Sequence, residues 1–351
     1  MATMAQAVRL ALHYAEENLG VTDVFGEDVG PPLGGVFTES QGLCTAWNSP
    51  LDERGIVGAA IGLALAGQRP VAEIQFCDYI FNAIDLLKLA GGTHWASNGD
   101  WNLPMVLKTP VGSGIRGAIY HSQSFDSTAT RLPGWKIVIP STPLDAYGLM
   151  ISACQDLNPI LYLEPKALLR IRGEEPIPGE PGDDRALSRM IDAPLGDRSQ
   201  WKPKWPALEP YAVPIGQAKR VREGDRLTVV SYGRTLPLCT KAADALAAEG
   251  VSAEVIDLRS LWPYDWDLLK RSIQKTGRVL YVNEETEVTN FGEHLVRRTV
   301  EELFYHLLAP PRLLAGKFVP GIGLADSLEM ASVPQLPEIT DAIRSLASEE
   351  P

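Results

Sequence analysis

The sequence predicts an α/β fold built as two domains, each with a parallel sheet. Three observations carry that prediction. Short continuous apolar runs alternate with longer periodic segments. The alternation occurs twice, on either side of a Pro-rich stretch at 171–210. The length, 351 residues, suits about two domains. Apolar runs without a polar alternate face are the mark of strands covered on both sides by helices.

The elements follow in order. Residues 1–20 read as a helix, because Ala5, Val8, Leu12, Ala15 and Leu19 recur at gaps of three and four and Gly20 stops the run. Val21–Phe25 is a strand that ends in Gly26-Glu27-Asp28, and a Gly/Pro-rich loop (Pro31–Gly35) follows. Asp52-Glu53 opens a helix to about Ala66, apolar nearly all round and so expected to be buried on every side. Strand Val71–Phe76, helix Asp78–Leu89, strands Met105–Thr109 and Trp135–Ile139, helix Pro143–Ala153 and strand Ile160–Glu164 complete the first set. After the Pro-rich stretch come strand Leu227–Tyr232, helix Leu236–Glu249 with Gly250 as its stop, strand Ala253–Asp257, helix Asp265–Lys275, strand Val279–Asn283 and helix Gly292–Leu308. The predicted division is a first domain at 1–170, a linker at 171–210 that wraps a surface through Trp201 and Trp205, and a second domain at 211–345.

Composition narrows the function. The net charge of −12 and the isoelectric point near 5.0 argue against a nucleic-acid partner, which wants clustered Lys and Arg. No apolar run is long enough to span a bilayer, and Met1–Leu12 lacks the basic start and apolar core of a signal peptide, so a cytosolic protein with no membrane partner is expected. Cys44, Cys77, Cys154 and Cys239 are far apart and expected to be buried free thiols. No Cys-x-x-Cys or His-x3-His spacing suggests a metal cage.

Familiar catalytic signatures are missing. Gly112-Ser113-Gly114-Ile115-Arg116-Gly117 has dinucleotide-loop spacing but opens no clear helix, and adjacent His121 and Ser122 cannot easily pair as base and nucleophile. What remains is polar residues at strand–helix junctions, where ligands of parallel sheets sit: Glu27-Asp28, Glu53, Gln75 with Asp78 and Tyr79, and His121. Each has a plain structural reading. A glutamate in a first helical turn serves the dipole, a loop histidine often lies on the surface, and a tyrosine on an apolar helix belongs to the core. Spacing alone yields an α/β subunit with an acid/base site.

At these residues the sequence resembles the β subunits of the thiamine-diphosphate-dependent 2-oxo acid dehydrogenases, the decarboxylating E1 component. The carrying segments are Phe25-Gly26-Glu27-Asp28-Val29, Gly34-Gly35-Val36-Phe37, Pro50-Leu51-Asp52-Glu53-Arg54-Gly55-Ile56-Val57-Gly58, Glu73-Ile74-Gln75-Phe76-Cys77-Asp78-Tyr79, Tyr120-His121-Ser122-Gln123-Ser124, Leu163-Glu164-Pro165-Lys166, Glu254 through Pro263, and Lys275-Thr276-Gly277-Arg278. They keep family order over roughly residues 5–310 and look closer to the branched-chain than to the pyruvate enzymes.

The resemblance implies a transketolase-like architecture: a pyrimidine-binding domain followed by a transketolase C-terminal domain. It implies an α2β2 heterotetramer with an E1 α subunit that holds Mg2+ and the diphosphate, since no Gly-Asp-Gly…Asn motif occurs here. It implies oxidative decarboxylation of a 2-oxo acid, branched-chain first, and transfer of the acyl group to the lipoyl of an E2 acyltransferase in a multienzyme complex. Pyruvate and acetoin are the alternatives within that chemistry; a split-transketolase subunit and a non-catalytic scaffold are the alternatives outside it. Glu53 matches the acid that hydrogen-bonds the pyrimidine N1′; Leu51, Gln75 and Tyr79 match the pyrimidine pocket; His121 matches the residue that faces the reacting centre. Ala153, Asp156 and Asn158 match a K+ site, with a helix C-terminal cap as the plain alternative. The chain departs from the family at Phe125-Asp126, at Thr93–Asn98 and at Gly316–Pro320.

Overall fold

A computed structural model describes residues 1–198 and 200–350. The chain packs as two compact units, Met1–Pro110 with Arg131–Glu164 and Leu168–Ile215, and Val111–Thr130 with Pro165–Ala167 and Gly216–Pro351.

In the first unit, α1 (Met4–Asn18) starts from Thr3, whose hydroxyl accepts from the Gln6 backbone while the Gln6 side chain accepts from the Thr3 backbone, a reciprocal cap. Its apolar residues share one core with those of α5 (Pro143–Gln155), Val8 and Ala11 among them with Leu149 and Met150. The strands are β1 (Asp23–Gly26), β2 (Ala46–Asn48), β3 (Pro70–Glu73), β4 (Val106–Val111), β5 (Lys136–Val138) and β6 (Ile160–Pro165), lying in the order β5-β6-β4-β3-β1-β2. Pairings are parallel, with Val24 opposite Val71, Ala72 opposite Leu107 and Ile137 opposite Leu161. Every residue of β3, β4 and β6 is buried, as two-sided coverage requires. The carboxyl ends of β1 and β3 run into Glu27-Asp28 and Ile74-Gln75, and α2 (Glu53–Leu65) and α3 (Ile84–Ala96) follow their own strands.

The described residues of 171–210 pack within this unit. They include α6 (Asp184–Ile191), and Ile177, Leu187 and Ile191 sit in the core. Trp205 stacks on His13 with ring centroids 4.0 Å apart, and the Tyr147 hydroxyl donates to the Glu209 carbonyl at 2.9 Å. The prolines break regular structure, but apolar anchors spaced between them bind the segment down.

Three expectations are corrected. α2 is not buried all round: Ile56, Val57, Ala60, Ile61 and Ala64 face the core, whereas Ala59, Gly62 and Leu65 are exposed, because no element of this unit covers that face. Cys44 is exposed, at the turn before β2, while Cys77, Cys154 and Cys239 are buried. The predicted helix after β3 begins instead as a 3-10 turn (Cys77–Ala83) and becomes α-helical only at Ile84.

In the second unit, α4 (Asp126–Ala129) is a single turn. The strands are β7 (Lys219–Arg222), β8 (Leu227–Ser231), β9 (Ala253–Asp257), a short β10 (Ser260–Trp262), β11 (Val279–Thr286) and β12 (Arg312–Gly316). One sheet runs β12-β11-β8-β9-β7, parallel except for the antiparallel edge pair β7–β9. Helices α7 (Thr235–Ala247), α8 (Trp266–Thr276), α9 (Phe291–Leu303), α10 (Asp326–Ser332) and α11 (Leu336–Ser348) complete it. α8 ends on Gly277 at φ 67°, the left-handed stop that glycine allows most cheaply. Among the described residues, no helix is long and apolar enough to cross a membrane.

Candidate active site

Glu53 is the first residue of α2 and is half-buried. Its Oε2 accepts from the Asn82 side-chain amide at 2.9 Å, so a residue of the 3-10 turn holds the carboxylate. Sequence reasoning missed Asn82, which lies 29 positions from Glu53 and leaves no local signal. Gln75, just past β3, donates from Nε2 to the Glu27 carbonyl at 3.2 Å and to Asp28 Oδ2 at 3.4 Å. Asp28 takes a left-handed backbone, φ 59°, at the end of β1. Tyr79 is half-buried and meets Phe76 edge-on at 6.0 Å.

These side chains form one acidic, aromatic-walled patch. Burial, then the charges of Asp28 and Glu53, push the Glu27 carboxyl up; burial, then Asp78, Glu53 and Glu27, push the Tyr79 hydroxyl up. Glu27, Glu53, Gln75 and Tyr79 are thus brought together. Leu51 lies beside them in sequence and is 71% exposed. An acidic patch with one anchored carboxylate, one amide and a phenol fits the edge of a cationic or basic heteroaromatic ring, and the edge-to-face pair of Phe76 and Tyr79 supplies an apolar wall. Such chemistry suits the pyrimidine half of thiamine.

His121 packs in the second unit. The Gly112 amide donates to Gln123 O at 2.7 Å, the Ser113 hydroxyl to Glu284 at 2.9 Å, and the Gly114 amide to Glu329 at 2.7 Å, so the loop ahead of His121 is tied at three points. Nδ1 of His121 lies 3.2 Å from the Gly117 carbonyl, an acceptor that orients the ring. Arg116 and Ala118 both hold φ near +57° and +55°, a strained conformation that turns the chain back on itself before His121. A three-residue 3-10 turn, not an α-helix, follows the Gly-x-Gly-x-x-Gly segment. Nearby, Tyr232 donates to Asp126 Oδ2 at 2.6 Å, and burial followed by the neighbouring Asp126 pushes the Glu285 carboxyl up to about 9. The Asn283-Glu284-Glu285 run at the end of β11 was a readable sign of this acid group that sequence analysis passed over.

At the end of α5, Asp156 Oδ1 accepts from the Asn158 backbone and side-chain amides at 2.9 and 2.8 Å, and its other oxygen binds the Lys136 ammonium. The Arg69 guanidinium donates to the carbonyls of Cys154 and Asp156. Of the three residues at the expected cation site, Asp156 is engaged by two protein cations, Lys136 at its carboxylate and Arg69 at its carbonyl, and the Ala153 carbonyl accepts from the Asp156 amide. A potential ligand cluster elsewhere, His13 with Glu16 and Glu17, has Glu16 already accepting from Cys44 and Thr45.

Two α/β units carrying these groups define a protein of the transketolase class: the transketolase pyrimidine-binding domain matches residues 1–172 and the transketolase C-terminal domain residues 216–339. A solved chain described as "Split gene transketolase, inactive beta4 tetramer" shares this fold, with a TM-score of 0.70 at 18% identity over 100% of both chains. Within that class the chain is 36% identical over 349 residues to the 2-oxoisovalerate dehydrogenase subunit beta of Bacillus subtilis, covering 97% of each. It is 37% identical to the subunit of the same name from Pseudomonas aeruginosa, over 91% of this chain and 88% of that one. A pyruvate dehydrogenase E1 component subunit beta from Acholeplasma laidlawii is 35% identical over 99% of both. The chain belongs to the family of 2-oxo acid dehydrogenase E1 β subunits.

Proposed function

We propose that this chain is the β half of a thiamine-diphosphate-dependent 2-oxo acid dehydrogenase acting on a branched-chain 2-oxo acid. The carrying observation is Glu53, a half-buried carboxylate fixed by Asn82 at the start of α2, beside Gln75 and an aromatic wall. Thiamine diphosphate, when bound, supplies the electron sink that lets a 2-oxo acid lose CO2. Glu53 would hold a proton against N1′ of its pyrimidine, with Leu51, Gln75 and Tyr79 around the ring. His121 would face the reacting centre and help to bind the substrate carboxylate or stabilise the oxyanion in acyl transfer to a lipoyl group. The relatives named for 2-oxoisovalerate favour branched-chain substrates; those named for pyruvate make pyruvate the second reading.

In this reading residues 1–170 are the pyrimidine domain, 211–345 the C-terminal domain, and 171–210 the connection between them. An E1 α subunit supplies Mg2+ and the diphosphate site, because this chain has no Gly-Asp-Gly…Asn motif. The exposed Ala59, Gly62 and Leu65 on α2 support a partner chain, and a lipoylated E2 receives the acyl group in the cytoplasm. K+ at Ala153, Asp156 and Asn158 belongs to the reading only in competition with Lys136. The sign of it is a higher Tm in KCl than in choline chloride; equal values leave the Lys136 ammonium as the resident cation.

The test is co-expression with an E1 α chain and an assay of 2-oxo acid decarboxylation. Activity is expected only with the partner and thiamine diphosphate, and highest on branched-chain acids. Glu53→Gln is expected to lower turnover by about 10²–10⁴-fold or more while the fold is kept. Turnover near that of the parent would remove Glu53 from the mechanism.

A further inference from the structure

Glu329 on α10 is 6% exposed, a carboxylate buried beside the loop that leads to His121. One of its oxygens, Oε1, accepts from two backbone amides of that loop, Gly114 at 2.7 Å and Arg116 at 3.2 Å. Amides that converge on one point make a concavity for an anion, and a carboxylate seated there gains charge-assisted hydrogen bonds. The turn itself runs through left-handed backbone, with Gly114 at φ 105°, Arg116 at φ 57° and Ala118 at φ 55°. Side chains other than glycine keep such angles only where their surroundings impose them. At Arg116 the bond from its own amide to Glu329 is part of that constraint. The second link to α10 is weaker: the Arg116 guanidinium binds both oxygens of Asp326, but those side chains are 67% and 59% exposed, so solvent screens the pair.

α10 is anchored behind Glu329. Arg234, just ahead of α7, donates to the Pro334 carbonyl at 3.1 Å and to Gln335 Oε1 at 3.2 Å. The Lys317 amide, just past β12, donates to the Ser332 carbonyl at 2.8 Å. From the turn to His121 the chain is short and tight. A Cβ on Gly117 would stand 2.5 Å from the His121 carbonyl oxygen and 2.7 Å from the His121 Cβ, so the two residues lie directly against each other. His121 Nδ1 rests on the Gly117 carbonyl at 3.2 Å. Relaxation at Arg116 would therefore carry through Gly117 to the ring.

We propose that Glu329 is a positioning residue for His121, acting through the Gly114–Gly117 turn. The proposal rests on the role given to His121 above. What that role requires of Glu329 is reach rather than charge, because one oxygen must meet two amides at once.

The experiment compares Glu329→Asp with Glu329→Gln in the full chain co-expressed with an E1 α chain. Aspartate keeps the charge and shortens the reach by a methylene; glutamine keeps the reach and an accepting oxygen. Glu329→Asp is expected to lower lipoyl acylation by about tenfold or more, since small misplacements near reacting atoms are costly, with thiamine diphosphate affinity at the parent's value. Glu329→Gln is expected to match the parent. Amide hydrogen exchange over 112–121, which needs no turnover, should quicken in Glu329→Asp and not in Glu329→Gln. In a His121→Ala background Glu329→Asp should cost nothing further, because the residue it positions is gone. Parent-like acylation in Glu329→Asp, equal losses in the aspartate and glutamine variants, or losses that multiply in the double variant would overturn the proposal. Parent-like acylation in His121→Ala would remove the role of His121 and the proposal with it, whereas a loss there beside normal Glu329→Asp turns against the proposal alone.

Discussion

Glu53 and His121 are held by quite different means. Glu53 has a helix N-terminus and one amide; His121 has a strained loop tied down by Ser113, Gly114 and Gly117. His121→Ala should therefore leave thiamine diphosphate affinity nearly intact while cutting transfer to lipoyl substrate; comparing cofactor titration with a lipoyl-acylation assay tests this, and parallel losses would deny His121 a separate role. Glu285 offers a pH signature. Its carboxyl, buried beside Asp126 on α4 and near Tyr232 after β8, is raised to about 9 in the folded chain. The neutral form is the one the fold favours, so its contribution is fully present at acid pH and is lost as pH climbs from the ordinary carboxyl range through about 9. Glu285→Gln should flatten that decline in urea unfolding followed across pH; an unaltered slope would assign the loss to other groups. The roles of single residues were legible where a motif surrounded them, as with Glu53 inside Pro50–Gly58. Asn82 was not, because a contact across the fold writes nothing into neighbouring positions.

At the scale of elements, the core of the first sheet contains an unexpected charge. Lys108 on β4 is wholly buried, with its ammonium 2.6 Å from Glu39, 2.6 Å from Glu73 on β3 and 3.3 Å from Glu164 on β6. Burial works against the charged ammonium, yet the carboxylates prevail and raise it well above its ordinary value. Lys108→Met would strand buried carboxylates in a space that Met fills well. It should cost about 3–5 kcal/mol by urea unfolding at neutral pH, less in acid, where the carboxyls can protonate. A variant as stable as the parent would show that the cluster carries no net stabilisation. In the sequence β4 reads as an ordinary apolar strand. The ion cluster was hidden because its four members come from separate segments. The same logic explains α2: its apolar periphery promised burial on all sides, but periodicity cannot say whether the covering element belongs to the same chain.

Over the whole molecule, the two α/β units and most of their strands could be placed from apolar runs alone, whereas the packing of 171–210 could not, since proline content masks anchors such as Ile177 and Trp205. The buried acids scattered through both units have one common effect. Glu73 and Glu164 in the first unit, Asp126 and Glu285 in the second, are all displaced toward the protonated form, burial being the leading cause in each. An unfolded chain at neutral pH carries those groups ionised. Glu285, whose folded value of about 9 lies above neutrality, must then draw a hydrogen ion out of solution on collapse to the native state and return it on unfolding. The heat measured on melting this protein will accordingly vary with the buffer, rising or falling with the buffer's own ionisation enthalpy, and the slope of that variation counts the hydrogen ions exchanged.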